Sequence, residues 1–275
     1  MSSLQKRNGP FVLFRHSRKI FLFLLVGWIG TSFPLAAGLP LRLMADGHQN
    51  FMPVRWEDAF KESMIILDRA RLERGEILGR IEEKEDGSLS AQTVGLIKAR
   101  PEECFRVITD YKNYRKIMPY TVESRILRSF LLEGDYEGFP AVDFWTRIRV
   151  FGFSTGYLIR IVHLPEPDKQ RFRTFWTLVD RPERLAACRD ENNRPCVNDL
   201  TVNLGAHLLE PFPGNPSYTL HTYTLTIAAE GWLRRSALQW DGAASMKEVT
   251  LAMRKVLEKR APPASEKGDK SHGEK

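Results

Sequence analysis

At 275 residues, 43% of them hydrophobic, the chain can bury a sizeable core in one or two domains. Its formal charge of +7 invites a nucleic-acid reading, but residues 1–45 hold six basic residues (Lys6, Arg7, Arg15, Arg18, Lys19, Arg42) and no acidic one. The remaining 35 of the 41 basic residues face 34 acidic ones, so the body is near neutral and lacks the footprint of a phosphate-binding domain.

Residues 1–45 read as a targeting segment: a basic stretch through Lys19, an apolar run from Ile20 to Gly30, then small residues at Ala36-Ala37-Gly38. Cleavage after Ala37 or Ala45 is the favoured outcome, because Pro34, Gly38 and Pro40 break the far end of the run. The alternative is an uncleaved inner-membrane anchor through residues 20–41, since about 20 apolar residues suffice to span a bilayer. Either outcome makes the domain periplasmic or exported, with the Lys/Arg cluster left in the cytoplasm. In the extension that follows, residues 46–74, Trp56, Phe60, Met64, Leu67 and Ala70 fall at helical spacing and predict a helix on the outside of the domain.

The stretch from Pro101 to Pro119 predicts two short helices in series. Pro101 suits a first helical position, Glu102 and Glu103 favour the helix start, and Cys104, Phe105 and Ile108 make one apolar side. Asp110 is expected to cap a second helix carrying Tyr111, Tyr114 and Met118, which Pro119 ends. A strand, Thr93 to Ala99, precedes the pair. Further strands are predicted at Thr121–Leu131, Ala141–Phe151, Phe153–Leu164, Arg171–Val179, Thr201–Leu209 and Tyr218–Ala228, then a helix from Arg234 to Lys259 with a Met246, Val249, Met253, Val256 stripe. Residues 261–275 have almost nothing to bury and read as a disordered tail.

The pattern Thr109-Asp110-Tyr111-x-x-Tyr114-x-x-x-Met118-Pro119, entered and left through strands, resembles the START-related lipid-transfer superfamily and its polyketide cyclase or coenzyme Q-binding branch, over roughly residues 75–260. The resemblance implies an α+β helix-grip fold: a curved antiparallel sheet around a long C-terminal helix, with an apolar cavity between. Alternation along the strands gives one apolar face, with Val142, Phe144, Thr146, Ile148 and Val150 on one strand and Tyr157, Ile159 and Ile161 on the next. In the resembled family that face lines a ligand tunnel. Phe144, Tyr157, Trp176, Tyr223 and Trp240 are therefore the expected lining, with Tyr114 and Met118 at its entrance and Thr146 and Thr174 as polar anchors. The opposite face carries Arg147, Arg149, Arg160, Arg171 and Arg173 with Trp145 among them. It reads as a solvated face with carboxylate partners, or as a basic stripe for anionic lipid headgroups.

Cys188 and Cys196 flank a polar, turn-rich loop and are expected to form a disulfide in an oxidising compartment, while Cys104 is a small buried hydrophobe. Gly152-Phe-Ser154-Thr-Gly156 matches the nucleophile-elbow pattern, but a strand follows where that motif needs a helix, so the glycines are assigned to a hairpin or bulge. The histidines show no metal-ligand spacing, and His163, His207 and His221 read as structural residues. No cofactor and no catalytic residue is expected. The functional expectation is an exported protein that binds a lipid or isoprenoid quinone in an internal cavity, with transient membrane-surface contact and no nucleic-acid partner. The alternatives are a cyclase or hydratase using the same pocket, or a ligand-free protein-interaction module.

Overall fold

The computed structural model describes residues 52, 55, 65–150, 152–180, 182–230 and 242–260. The expected targeting segment, most of the helix from Trp56, Trp240 and the tail from residue 261 lie outside the described residues. No helix among the described residues is long and apolar enough to cross a membrane.

Eight strands form one antiparallel sheet: β1 (Ile77–Glu83), β2 (Leu89–Ile97), β3 (Thr121–Leu131), β4 (Pro140–Val150), β5 (Phe153–Glu166), β6 (Arg171–Leu178), β7 (Val202–Phe212) and β8 (Asn215–Ala228). Their order is β1-β2-β8-β7-β6-β5-β4-β3, so the sheet is curved but not closed. Strands consecutive in sequence are also neighbours in the sheet except β2 and β3, and the chain must cross from β2 to the far edge before β3 begins. Helices α2 (Pro101–Ile108) and α3 (Tyr114–Ile117) make that crossing. Helix α1 (Arg69–Glu73) precedes β1, α4 (Pro182–Ala187) follows β6, and α5 (Gly242–Arg260) closes the described chain.

The crossing follows its sequence signals with one correction. Pro101 opens α2, and the Glu103 carboxylate accepts the Arg100 backbone N–H at 2.9 Å, which satisfies a donor the helix start leaves orphaned. Asp110, expected to cap the second helix through its side chain, instead accepts the Asn113 amide at 3.1 Å, and a 3-10 turn at Tyr111–Asn113 comes before α3. Cys104, Val107 and Ile108 pack with Ile97, Met118, Phe172, Leu209 and Met253 as the core under α2 and α5.

Two expectations about the sheet change. The strand placed at Thr93–Ala99 begins earlier, at Leu89, and pairs with β1, a strand that the sequence reading does not contain. The outer face, away from α5, is also buried rather than wet. Trp145, Leu158, Val162, Phe175 and Ala206 are each fully enclosed there, beneath Met52, Leu132 and Tyr136 on one side and α4 with the loop after it on the other.

That burial overturns the basic stripe. Arg160 is 2% exposed, and its Nε donates to Asp143 Oδ1 at 2.8 Å, while Arg128 donates to the other oxygen at 2.6 Å. Burial works against ionising Asp143, yet the two guanidiniums hold its carboxyl below the usual range. Arg147 meets Asp190 and Glu123, Arg171 meets Glu210 and Glu166, and Arg173 meets Glu166. A surface so neutralised offers little to anionic headgroups.

The disulfide Cys188–Cys196 forms, its Cα atoms 5.4 Å apart, on the connection from β6 to β7. That connection continues the sheet where β6 stops. Asn198 Oδ1 accepts the Leu158 N–H at 2.8 Å and Asp199 Oδ2 accepts the Gly156 N–H at 2.7 Å, so side chains replace the missing strand partner. Asp190 locks the loop by accepting the Asn192 and Arg194 backbone N–H groups at 2.9 and 2.8 Å.

Two outcomes follow. Arg160→Ala leaves the buried Asp143 charge short of a partner and costs about 3–5 kcal/mol in urea unfolding, against about 0.5 kcal/mol or less for the exposed Arg149→Ala. Equal effects would mean that the outer face is solvated after all. Reduction of the disulfide, by loop-closure entropy, lowers stability by about 2–3 kcal/mol, and peptide mapping without reductant recovers the linked pair with Cys104 free.

Candidate functional site

Between the inner face of the sheet and α5 lies a cavity of about 500 Å³. Its floor comes from alternate residues of β4 (Phe144, Thr146, Ile148, Val150), β5 (Thr155, Tyr157, Ile159, Ile161), β6 (Trp176), β7 (Asn203, His207) and β8 (Tyr223, Leu225, Ile227). Antiparallel register explains the grouping, because Phe144 pairs with Ile159, Ile161 with Trp176, and Trp176 with Gly205, all on one side of the pleat. Ser245, Met246 and Val249 of α5 form the roof, and Tyr114 with residues 118–121 the rim. At that rim Tyr120 adopts φ +62°, a costly setting for an aromatic residue, fixed by the Arg149 N–H donating to its carbonyl at 2.8 Å.

Seven of the nine expected lining residues are on this surface: Tyr114, Met118, Phe144, Thr146, Tyr157, Trp176 and Tyr223. Thr174 is not. It is buried beside His207 on the same face, one pleat beyond the cavity wall, so it is not placed to anchor a ligand. Thr146 faces the cavity, but its hydroxyl donates to the Glu123 carbonyl at 3.1 Å and so is already engaged. Trp240 lies outside the described residues. The sequence reading missed Leu200, Asn203, His207 and Ser245.

The walls are braced from within. Trp176 lies flat across β7 because residue 205 is glycine; a Cβ there would run into the indole. The indole N–H donates to Asn203 Oδ1 at 2.9 Å, and Asn203 also bonds the Tyr157 hydroxyl. Tyr111, Tyr114 and Phe144 contact one another at centroid distances of 5.0 to 5.5 Å. Burial pushes the Tyr157 hydroxyl up to about 12 and raises those of Tyr114 and Tyr223 further, so all three are neutral donors at any ordinary pH.

The elbow-like motif supplies no nucleophile to this site. Gly152, at φ +86°, turns the β4–β5 hairpin between paired residues Val150 and Phe153, and Ser154 is exposed at the start of β5. The histidines depart from expectation more sharply. His207 Nδ1 and His221 Nε2 are 3.0 Å apart, and His221 Nδ1 is 3.0 Å from the Thr250 hydroxyl on α5. His163 stacks on Tyr111 nearby. Among the described residues no cluster of three or more His, Cys, Asp or Glu is placed to hold a metal ion.

Burial depresses all three histidines, His163 to about 4, His221 to about 3, and His207 in the same direction with His221 adding to it. An unfolded chain binds these protons near pH 6.5 and the folded protein does not, so stability falls as pH drops through that value. At pH 5 the loss is about 2 kcal/mol for each histidine kept neutral. Urea titrations at pH 7.5 and pH 5 measure it, and His163→Gln removes one histidine's share. Identical stability at the two pH values would mean that the rings are hydrated.

No family model matches the chain and no curated protein matches it; the likeness is structural. Human StAR-related lipid transfer protein 5 superposes with a TM-score of 0.50 at 12% identity, over 68% of this chain and 83% of its own. A STAR-related lipid transfer protein from Xanthomonas axonopodis (TM-score 0.46, 14% identity, 66% and 93%) and the Zhui aromatase/cyclase from Streptomyces sp. R1128 (0.44, 14%, 65% and 98%) are also similar. The curved eight-stranded sheet gripping a C-terminal helix is thus the START-like helix-grip fold.

Proposed function

We propose that this protein binds an apolar small molecule, of the lipid or isoprenoid class, inside the cavity and shields it from water. The observation that carries the reading is the cavity itself. A core of this quality normally closes to crystal-like density, yet about 500 Å³ stays open under a wall of aromatic and branched side chains. Burying a ligand's apolar surface there yields roughly 25 cal/mol per Å², so tight retention needs few hydrogen bonds. The fold, which the chain shares with a human lipid transfer protein, supports the same reading. A carrier role outside the cytoplasm accords with the basic-then-apolar first 45 residues and with a disulfide on the cavity-wall loop.

Native mass spectrometry of protein purified without detergent is the test. Wild type is expected to carry, or to take up from liposomes, one apolar molecule. Trp176→Ala weakens retention at a stability cost of about 3–5 kcal/mol, so retention is compared at a temperature where both proteins are folded. A folded Trp176→Ala protein that retains the ligand unchanged would displace the site from this cavity. A wild type that never holds an apolar molecule would remove the function.

A further inference from the structure

The polar end of the cavity is built, and it is built for an uncharged ligand. No Asp, Glu, Lys or Arg is among the described lining residues, so an ionised headgroup inside would go unpaired at a cost of several kcal/mol. The polar atoms that do reach the cavity belong to neutral groups, and one of them ends a chain of hydrogen bonds. His207 lines the cavity, its Nδ1 is bonded to His221 Nε2, and His221 Nδ1 is bonded to Thr250 Oγ1. Among the described residues nothing partners Nε2 of His207. His207 is 5% exposed, and the Trp176 and Tyr223 rings hold its imidazole at centroid distances of 5.3 and 4.4 Å.

Resting on the cavity function above, we propose that His207 is the anchor for the ligand's single neutral oxygen, a hydroxyl or a carbonyl, and that the His221–Thr250 relay lets it serve either. The proton count closes in both directions. When Thr250 donates to His221 Nδ1, His221 Nε2–H donates to His207 Nδ1, and His207 Nε2–H is left to donate to a carbonyl. When His221 Nδ1–H donates to Thr250, His207 Nδ1–H donates to His221 Nε2, and the bare His207 Nε2 accepts a hydroxyl proton. Each ring keeps one proton throughout, so no charge enters the cavity. The charged group that acts on the relay is Arg254, whose guanidinium adds to burial in opposing protonation of His221 and donates to the Leu96 and Gly75 carbonyls at 2.8 and 2.9 Å. Because Thr250 belongs to α5, the oxygen is read by the element that roofs the cavity.

A four-way competition tests the anchor. Full-length protein is equilibrated with equal amounts of tetradecane, tetradecan-2-ol, tetradecan-2-one and tetradecanoate, separated, and extracted for gas chromatography. His207→Phe is expected to lower the alcohol-to-alkane and ketone-to-alkane ratios about 3- to 10-fold, the worth of one hydrogen bond, each ratio being read within the same protein. His207→Gln, which keeps a donor and an acceptor, retains part of the preference and guards against a variant that does not fold. Thr250→Val shifts the alcohol-to-ketone ratio by about twofold or more, which plain destabilisation would not do. In wild type, nitrogen-15 spectra of labelled histidine show His207 as the Nδ1–H tautomer with the alcohol and the Nε2–H tautomer with the ketone. Unchanged ratios in folded His207→Phe, an unchanged tautomer between the two ligands, or preferential retention of tetradecanoate each overturns the anchor while the cavity function stands. Retention of none of the four by wild type overturns both.

Discussion

The close approach of α5 to β1 and β2 is the constraint on which the rest depends. Two glycines permit it: a Cβ at Gly79 would lie 3.0 Å from Lys247 and 3.2 Å from Ala243, and one at Gly95 3.3 Å from Thr250. Arg254 fastens the contact from the other side by donating to the Leu96 and Gly75 carbonyls. A helix drawn down onto β1 and β2 cannot also reach β4, β5 and β6 across a curved sheet. Those strands answer with large rings, Phe144, Tyr157 and Trp176, which reach toward the helix without filling the distance. Small residues at one end of the sheet and large ones at the other thus make the void, and no single lining residue does.

An opening of that size would collapse if its walls were free to move. They are not, because each face of the sheet is packed. On the inner side Trp176 is fixed by Gly205 beneath it and Asn203 beside it. On the outer side Phe175, its neighbour in sequence, is enclosed with Val162, Leu164 and Ala206. The buried Asp143–Arg160 pair adds register more than energy, since its desolvation cost offsets much of its attraction. The disulfide-closed loop supplies the last wall: where β6 ends, Asn198 and Asp199 bond β5, and Leu200 is turned into the cavity.

Much of this was legible in the sequence. Strong β-branched alternation between turn residues located β3 at Thr121–Leu131 and put Phe144, Tyr157 and Trp176 on one face, because a period of two leaves no choice of side. What failed has identifiable causes. β1 escaped because an edge strand needs only one buried row; Gly79, Arg80 and Glu82 dilute its pattern, and even Ile81 is 38% exposed. Arg160 was assigned to water because alternation separates two faces but does not say what covers the second. The cover comes from Met52 and from the irregular stretch after β6, neither of which has a period. The histidine pair was hidden for a third reason: residues 207 and 221 become neighbours only through the register that sets His207 against Tyr223. A one-residue slip would put the two rings on opposite faces of the sheet.

The same register explains why polar groups sit in an otherwise apolar cavity without wrecking it. They form two short networks, Trp176–Asn203–Tyr157 and His207–His221–Thr250, so the polar groups that face the cavity already hold at least one hydrogen bond each. A buried network fully satisfied inside is rigid, and one satisfied except at its ends presents preorganised atoms to whatever enters. Preorganisation lowers the ordering cost of binding, since the rings need not be brought into place when the ligand arrives. It also sharpens selection. On the proposed anchor, an apolar guest without an oxygen leaves the His207 nitrogen unpaired, and an ionised guest finds no counter-charge among the described lining residues, so both are disfavoured relative to a single neutral hydrogen bond.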